Sequence, residues 1–339
     1  MRSIKLMEVC GTHTMSIAKS GIKSMLPEGV QLLSGPGCPV CVTPTGVIDG
    51  VLELAMRPDV MITTYGDMVR VPGSVPGDNL ARRRAMGAKV EIVYSPVDAI
   101  EIAKKNPEKE IVFLGVGFET TAPGTAAVIL TAKEDGVTNF SVLSMLKVCE
   151  PALRALIAMP GFDIDGFLCP GHVATIIGAK GFEFLPRDYQ LPAVVAGFEP
   201  EDILQAVGLL LRQIEEGEPK LENEYLRAVS YDGNLLAQMM MDKVFERRDD
   251  DWRGLGIIPD SGLAIQELFS AFDAEKKFSI SKTPLQATAC RCGDVITGKI
   301  EPTQCPLFGK RCVPEDPVGP CMVSSEGACA ATYKYQWTN

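Results

Sequence analysis

The sequence has no long apolar run and no excess of basic residues. Its 339 residues include 43 acidic and 33 basic side chains, a formal net charge of −10. This balance argues against a nucleic-acid or anionic-membrane partner, because phosphate groups are bound by clustered lysine and arginine. No apolar run approaches the ~18 residues of a membrane span, and the start MRSIKLMEVC lacks a signal-peptide pattern. We therefore expect a cytoplasmic protein with no membrane or nucleic-acid partner.

Histidine is scarce, with two residues, whereas cysteine is abundant, with eleven. Stable disulfides are rare in the cytoplasm, so cysteines there more often bind metal or carry out redox chemistry. Six of the cysteines fall in the last fifty residues, in a stretch rich in glycine and proline. Too few apolar side chains are present there to close a core. Such a segment needs disulfides, a metal or a partner surface.

Short apolar runs alternate with amphipathic stretches from residue 1 to about 215, which is typical of parallel sheets covered by helices. Residues 1–108 and 109–220 are expected to form two α/β domains, and residues 221–339 a mainly helical, loop-rich C-terminal region. The expected strands are Ile4–Val9, Val30–Leu33, Val60–Thr63, Val90–Tyr94, Ile111–Val116, Ser141–Leu146, Gly166–Leu168 and Ala193–Ala196.

Thiol-bearing or polar residues follow several of these strands. Open parallel sheets bind ligands beyond the carboxyl ends of their strands. We therefore expect the loops to share one cleft. The residues concerned are Cys10 and His13, Cys38 and Cys41, Glu119, and Cys169 and His172.

The segment Cys38-Pro-Val-Cys41 has the spacing at which two thiols form a small disulfide or share a metal ion. Thr43 and Pro44 resemble the start of a helix, as N-cap and first helical residue. The dipole of that helix would lower the thiol pKa and raise reactivity. The alternative is a pair of buried structural cysteines.

Cys10 and His13 lie three residues apart in a Gly-Thr loop, so that thiolate and imidazole could bind one metal. These ligands suit iron, zinc or copper. A structural role is the alternative, and His13 could instead orient or acidify Cys10 without touching metal.

Cys169-Pro-Gly-His172 is a second such pair. Here Cys169 could simply finish a buried strand and His172 cap the next helix. Cys149 is most simply a small buried apolar residue.

The segment GVGFETTAPG at residues 115–124 resembles a phosphate-binding turn, but it lacks the third glycine of the dinucleotide fingerprint and the lysine of a P-loop. Nucleotide binding is thus weakly supported. Glu119 could donate or accept a proton, or bond to neighbouring backbone amides.

The six C-terminal cysteines are separated by 1, 12, 6, 8 and 7 residues. Zinc sites usually show paired C-x₂₋₄-C hooks, which are absent here, whereas iron–sulfur clusters tolerate irregular spacing. We favour a [4Fe–4S] cluster, with structural zinc as the alternative. One choice of four ligands is Cys290, Cys305, Cys312 and Cys329, which leaves Cys292 and Cys321 unassigned.

The motifs MEVCGTHTM, LLSGPGCPVCVTP, GFETTAPGTA, CPGHV and CPLFGKRC…CMVSSEGAC together resemble the HypD family of hydrogenase maturation factors over essentially the whole chain. The resemblance implies two Rossmann-like α/β domains and a C-terminal region holding a [4Fe–4S] cluster. It also implies a scaffold for the Fe(CN)₂CO unit of [NiFe]-hydrogenase, with the small chaperone HypC and the cyanide-delivering HypE as partners.

Residue by residue, the resemblance implies iron binding at Cys10, with His13 in its loop, and a redox-active pair at Cys38 and Cys41. Thiolates of these three cysteines could hold the iron unit. The family's cluster pattern C-x₁₄-C-x₆-C-x₁₆-C falls on Cys290, Cys305, Cys312 and Cys329. A cofactor-assembly scaffold is thus expected rather than a conventional turnover enzyme. The alternatives are a cluster-dependent thiol–disulfide oxidoreductase and a zinc-stapled binding protein.

Overall fold

The computed structural model describes residues 3–280 and 289–337, in which eleven strands form. All eight strands expected from the sequence are present, with ends that differ by a few residues. The strands are β1 (Ile4–Glu8), β2 (Val30–Ser34), β3 (Val60–Thr64), β4 (Lys89–Ile92), β5 (Glu110–Gly117), β6 (Phe140–Leu146), β7 (Gly166–Pro170), β8 (Ala193–Ala196), β9 (Leu221–Asn223), β10 (Phe245–Trp252) and β11 (Gly256–Ile265).

Helices connect the strands and cover the sheets. Those of the described ranges are α1 (Gly11–Ser20), α2 (Pro39–Val42), α3 (Thr45–Leu54), α4 (Leu80–Ala85), α5 (Pro96–Lys105), α6 (Ala122–Glu134), α7 (Cys149–Ile157), α8 (Gly171–Ile177), α9 (Phe184–Tyr189), α10 (Pro200–Glu216), α11 (Leu235–Val244), α12 (Ala274–Phe278), α13 (Cys292–Ile296) and α14 (Ala328–Tyr335). None of these helices is long and apolar enough to cross a membrane.

Two parallel sheets form the body of the protein, which confirms the α/β class. The first has the strand order β2-β1-β7-β8-β9 and the second β4-β3-β5-β6. Because β3 pairs with β5, the second sheet crosses the expected boundary at residue 108, and the first combines β1 and β2 with strands beyond residue 165. Apolar periodicity identifies which residues form strands but not which strands pair, so the division of the chain into sheets differs from the expected one.

Residues after 220 contain β-structure that the sequence analysis did not predict. The strand β9 extends the first sheet, and β10 and β11 form an antiparallel hairpin. The charged run 246–251 lies within β10, between the buried residues Phe245 and Trp252. The expectation of a mainly helical region was therefore wrong here. The charged residues of β10 hid this strand from the sequence analysis. Alternation of apolar and polar residues cannot be recognised when only the two end residues are apolar.

The C-terminal cysteine segment packs around a small apolar cluster. Phe308 and Met322 are buried there, with Tyr333 and Trp337 against them. The Phe308 and Trp337 rings meet edge-on, with centroids 5.5 Å apart. This cluster is much smaller than the cores of the two sheets. Its position beside the cysteines means that thiols and aromatic rings together hold the segment.

Candidate functional site

The carboxyl ends of four strands open into one cleft of about 200 Å³. The loops after β1, β2, β5 and β7 all contribute to its wall, as expected for ligand sites of parallel sheets. The first and second sheets both take part, so the cleft lies where they meet. Its lining is Val9, Cys10, Gly11, Thr12, Gly37, Pro39, Phe118, Thr120, Thr121, Pro170, His172, Val173 and Glu326.

Cys10 lies in this lining at the N-cap of α1, directly after β1. The Gly11 amide donates to the Gly37 carbonyl at 2.9 Å, which joins the first two loops. A side chain at Gly37 would overlap the backbone of Val9 and Cys10, so only glycine permits this approach. Burial raises the pKa of the Cys10 thiol to about 12, while the backbone amides of His13 and Thr12 act in the opposite direction. Cys10 is thus a neutral thiol that a metal would have to deprotonate.

Glu8 is a buried carboxylate beneath Cys10 that the sequence analysis missed. Its Oε2 accepts from the Cys10 amide at 2.9 Å, and its Oε1 accepts from the Thr14 hydroxyl at 2.5 Å. Burial raises the pKa of Glu8 to about 7 despite these hydrogen bonds. A glutamate within an otherwise apolar strand end, as in LMEVC, is the signal that could have identified it.

Glu326 is a second missed carboxylate, and it reaches the cleft from the C-terminal segment. Its Oε1 accepts from the Thr12 hydroxyl at 2.7 Å. Burial raises the pKa of this carboxyl as well. The two residues are 314 positions apart, so no local pattern could predict the contact.

The two histidines lie on either side of Phe198. His172 lines the cleft, and its ring centroid is 3.9 Å from that of Phe198. His13 lies outside the cleft lining, fully buried, and its Nε2 donates to the Gly197 carbonyl at 2.7 Å. Burial lowers the pKa of His13 to about 4, so the imidazole is neutral near pH 7. Its Nδ1 has no partner among the described residues.

Cys38 and Cys41 lie behind the cleft wall. Cys38 is the N-cap of the single-turn helix α2, and its Sγ accepts from the Cys41 amide at 3.2 Å. Thr43 ends α2 instead of starting a helix, and α3 begins at Thr45. Burial raises the pKa of the Cys41 thiol well above its usual value. For Cys41 the expected lowering of the pKa by a helix dipole was wrong, because burial outweighs it.

Glu119 and Cys149 form a buried contact outside the cleft lining. Glu119 Oε1 accepts from the Cys149 amide at 2.9 Å, which is the backbone role considered for it. Its Oε2 is buried and has no partner among the described residues. Burial raises the pKa of this carboxyl. Cys169 lies within β7 and is fully buried, as expected for a residue that finishes a strand.

All six C-terminal cysteines line one small cavity, together with apolar side chains. Gly319 leaves room for the Cys290 sulfur, and the Val318 amide donates to Cys312 Sγ at 3.3 Å. Four thiols in an apolar pocket are the donor set of an iron–sulfur cluster. The free volume is about 10 Å³, so a cluster fits only if these side chains separate. Within the described ranges, no three His, Cys, Asp or Glu side chains are arranged to hold a single metal ion.

Cys292 and Cys321 connect this cavity to the Cys38–Cys41 pair. Their Sγ atoms lie 2.7 Å apart, and Cys292 Sγ lies 3.9 Å from the Cys41 carbonyl oxygen. The turn Pro320–Met322, which contains Cys321, packs on α2, which contains Cys41. The sequence analysis left both residues unassigned, since spacing alone does not show which cysteines face the CxxC loop. The structure places them between the two groups of thiols.

Two parallel sheets with a thiol-bearing cleft, and a cysteine cavity beside it, define an α/β protein that concentrates its cysteines in and beside the loops at the carboxyl ends of its strands. The family model HypD, described as "Hydrogenase formation hypA family", matches residues 1–336. The chain therefore belongs to the HypD family.

Curated relatives cover nearly the whole chain. The hydrogenase maturation factor HypD of Azotobacter vinelandii is 47% identical over 98% of this chain and 90% of its own length. HypD of Escherichia coli (strain K12) is 47% identical over 99% of this chain and 90% of its own length. HypD of Cupriavidus necator is 47% identical over 97% of this chain and 89% of its own length.

Proposed function

We propose that this protein is a cytoplasmic scaffold and redox maturase that assembles the Fe(CN)₂CO unit of [NiFe]-hydrogenase with HypC and HypE. The observation that carries the proposal is an almost continuous path of cysteines. Cys321 lies in the turn Pro320–Met322, which packs on the helix that contains Cys41, Cys41 lies one helical turn from Cys38, and the neighbouring Gly37 packs on Cys10 in the cleft. Relatives named hydrogenase maturation factors support this reading.

The iron unit is the cargo, and Cys10 is its ligand in the cleft. Low-spin iron with cyanide and carbonyl ligands favours soft thiolate donors. Of the three cysteines expected to bind iron, Cys10 lines the cleft, whereas Cys38 and Cys41 lie behind it. A second thiolate would come from Cys38 or from HypC. Binding releases the Cys10 proton, and Glu8, whose Oε2 is bonded to the Cys10 amide, is a nearby acceptor.

His13, considered as a metal ligand or as a residue that orients or acidifies Cys10, and Glu119, considered for proton transfer, act as positioning residues in this proposal. His13 ties α1 to the loop after β8 through the Gly197 carbonyl. Glu119 ties the loop after β5 to the start of α7 through the Cys149 amide. Each contact thereby fixes one cleft loop, or the helix that follows it, against a neighbouring element.

A [4Fe–4S] cluster held by Cys290, Cys305, Cys312 and Cys329 would supply electrons one at a time. The protein's own thiols then exchange. The Cys321 thiolate attacks Cys41 of a Cys38–Cys41 disulfide and forms a mixed disulfide, with Cys38 leaving as thiolate. Cys292 attacks Cys321, which leaves a Cys292–Cys321 disulfide and a reduced Cys38–Cys41 pair. Two electrons move between the pairs, and the two thiol protons follow them. Reduction of the Cys292–Cys321 disulfide back to two thiols takes two electrons and two protons, and the electrons would come from an external one-electron donor by way of the cluster.

The rival function, a thiol–disulfide oxidoreductase acting on other proteins, requires an accessible CxxC pair. Cys41 is fully buried and Cys38 is 5% exposed. Attack on a disulfide depends on access to the thiolate. The burial therefore favours exchange within the protein over exchange with a partner's disulfide.

Infrared spectroscopy of the protein co-purified anaerobically with HypC tests the proposal. Bands of bound cyanide and carbonyl are expected in the wild type and absent in Cys10→Ala, Cys38→Ala and Cys41→Ala. Cys169→Ala, which alters a thiol buried in β7, is the matched control and should keep the bands. Intact bands in the three cleft-side variants would refute the assignment.

A further inference from the structure

The turn between β10 and β11 joins the cleft, the CxxC loop and the cysteine cavity. Trp252 is fully buried and stacks on Phe118 of the cleft wall, with ring centroids 5.9 Å apart. Arg253 donates from its amide to the Val42 carbonyl at 2.8 Å. Gly254 packs so closely on Gly293 that a side chain at either position would overlap the other's backbone. One short turn therefore contacts all three parts of the site.

Arg253 places a positive charge in this turn. Its side chain is 7% exposed, and its Nε donates to the Thr43 carbonyl at 3.0 Å. The second guanidinium nitrogen, Nη2, is buried and has no hydrogen-bond partner among the described residues. A buried cation with an unpaired N–H group is unfavourable unless negative charge nearby compensates it.

The thiols of the cysteine cavity are where that negative charge would arise. Gly254 contacts Gly293, the residue after Cys292, so the turn that carries Arg253 lies against the cavity lined by Cys290 and Cys292. Arg291, the neighbouring cation in sequence, instead points to Asp294 at the surface, with Nε and Oδ2 2.7 Å apart.

We infer that Arg253 is the countercharge of the C-terminal cysteine centre, where it stabilises the electron-rich state and holds the centre's loop against the CxxC loop. The inference rests on the proposed [4Fe–4S] cluster. A four-thiolate cluster is anionic and gains one more negative charge on reduction. A buried cation beside its ligands favours the reduced state, because net charge and burial set the potentials of such clusters.

The inference is tested by a redox titration of the intact protein, followed by electron paramagnetic resonance, after its iron and sulfide content has been measured. Arg253→Gln should lower the equilibrium constant for one-electron reduction at least tenfold, or about 59 mV. Arg253→Lys, which keeps the charge, should remain within about threefold of wild type. Arg291→Gln, which removes an exposed arginine beside the same cysteines, should have no effect.

Asp251 provides an independent test, because its substitution should shift the reduction constant in the opposite direction to Arg253→Gln. Burial raises the pKa of the Asp251 carboxyl, whereas the charge of Lys147 and, to a smaller extent, that of Arg253 lower it. Asp251→Asn removes a negative charge beside Arg253 and should raise the reduction constant, an outcome that loss of packing would not produce. This variant decides the question if Arg253→Gln does not fold.

Three results would overturn the inference. They are an unchanged potential in Arg253→Gln, equal shifts in the Gln and Lys variants, or no upward shift in Asp251→Asn. A wild-type protein without iron and sulfide would refute the proposed cluster, and the countercharge with it. A loaded wild type with unresponsive variants would refute the countercharge alone.

Discussion

The cleft and the cysteine cavity are held together in different ways. Cys10 is placed by the end of β1, the start of α1 and the close approach of Gly37, all of them backbone features of a parallel sheet. The cysteine cavity lies among turns, the short helices α13 and α14 and a small aromatic cluster. Sheets position a site without their ligand, whereas a segment with so small a core depends on what its thiols bind. The two regions should therefore respond differently to the same kind of substitution.

Cys312→Ala should produce the largest effect, and it should affect the cysteine cavity but not the cleft. Loss of one of four thiolate ligands should reduce bound iron and sulfide roughly tenfold. The C-terminal segment, without the proposed cluster, should become sensitive to protease. Metal analysis and limited proteolysis measure both effects. Cys10→Ala should leave both properties at wild-type values, and equal damage by the two variants would contradict the distinction.

The hairpin that joins the regions depends on a buried ion pair. Lys147 is 2% exposed, and its Nζ lies 2.8 Å from Asp250 Oδ2 and donates to the Asp251 carbonyl at 2.7 Å. Lys147→Met leaves the carboxylate buried without its main partner, which should reduce the free energy of unfolding by about 3–5 kcal/mol. Denaturant unfolding of cluster-loaded protein measures this.

The double variant Lys147→Met/Asp250→Leu is the control for that pair. It removes both charges and should recover most of the lost stability, since the desolvation of the pair disappears with it. If the double variant were less stable than Lys147→Met, the pair would not be the source of the effect.

How far the sequence predicts the molecule also differs between the two regions. Strands and their exits are predictable because apolar runs mark them, and Cys10, Cys38 and Cys41 stand at those exits. Glu326 adds a carboxylate to the cleft lining from the other end of the chain. It lies 314 positions from Thr12, its hydrogen-bond partner, so no local sequence pattern indicates it. The place of His13 also escapes prediction, because helical phase turns its ring toward Gly197 and away from the cleft lining.

The cysteine region shows the opposite pattern of success. Its six thiols could be grouped from the sequence, and all six line one cavity. Cys292 and Cys321 are turned toward Cys41 by tertiary packing, which the sequence alone does not reveal. The hairpin that organises this packing was missed because its strand β10 carries a charged run.

On the cleft side of the molecule, His13 should make stability depend on pH. The pKa of His13 falls from 6.5 to about 4 on folding, so the unfolded chain binds the proton first as the pH drops. The His13 contribution to stability is then lost as the pH falls from 6.5 toward 4, by up to about 3 kcal/mol at ~1.4 kcal/mol per pKa unit. Glu8, whose pKa is raised from 4.5 to about 7, contributes in the opposite direction over that range. His13→Gln, which retains a donor for Gly197, should flatten the curve by that amount. Unfolding measured between these pH values tests it.

His172→Gln is the control for the pH effect. Burial also lowers the pKa of His172, but this ring is only half-buried. Its removal should flatten the curve less than His13→Gln does. A larger effect at His172 would mean that the exposed histidine, and not the buried one, governs the acid sensitivity.

Gly37→Ala should give the smallest loss of stability but a specific loss of function. A Cβ there overlaps the backbone of Val9 and Cys10, so the loops after β1 and β2 must separate. Overpacking of this kind costs about 1–3 kcal/mol. Gly208→Ala in α10, where a Cβ meets open space, should instead stabilise the protein by up to about 1 kcal/mol. If the cleft is positioned by backbone approach, only Gly37→Ala should lose the infrared bands of the iron unit, while its iron–sulfur content stays intact.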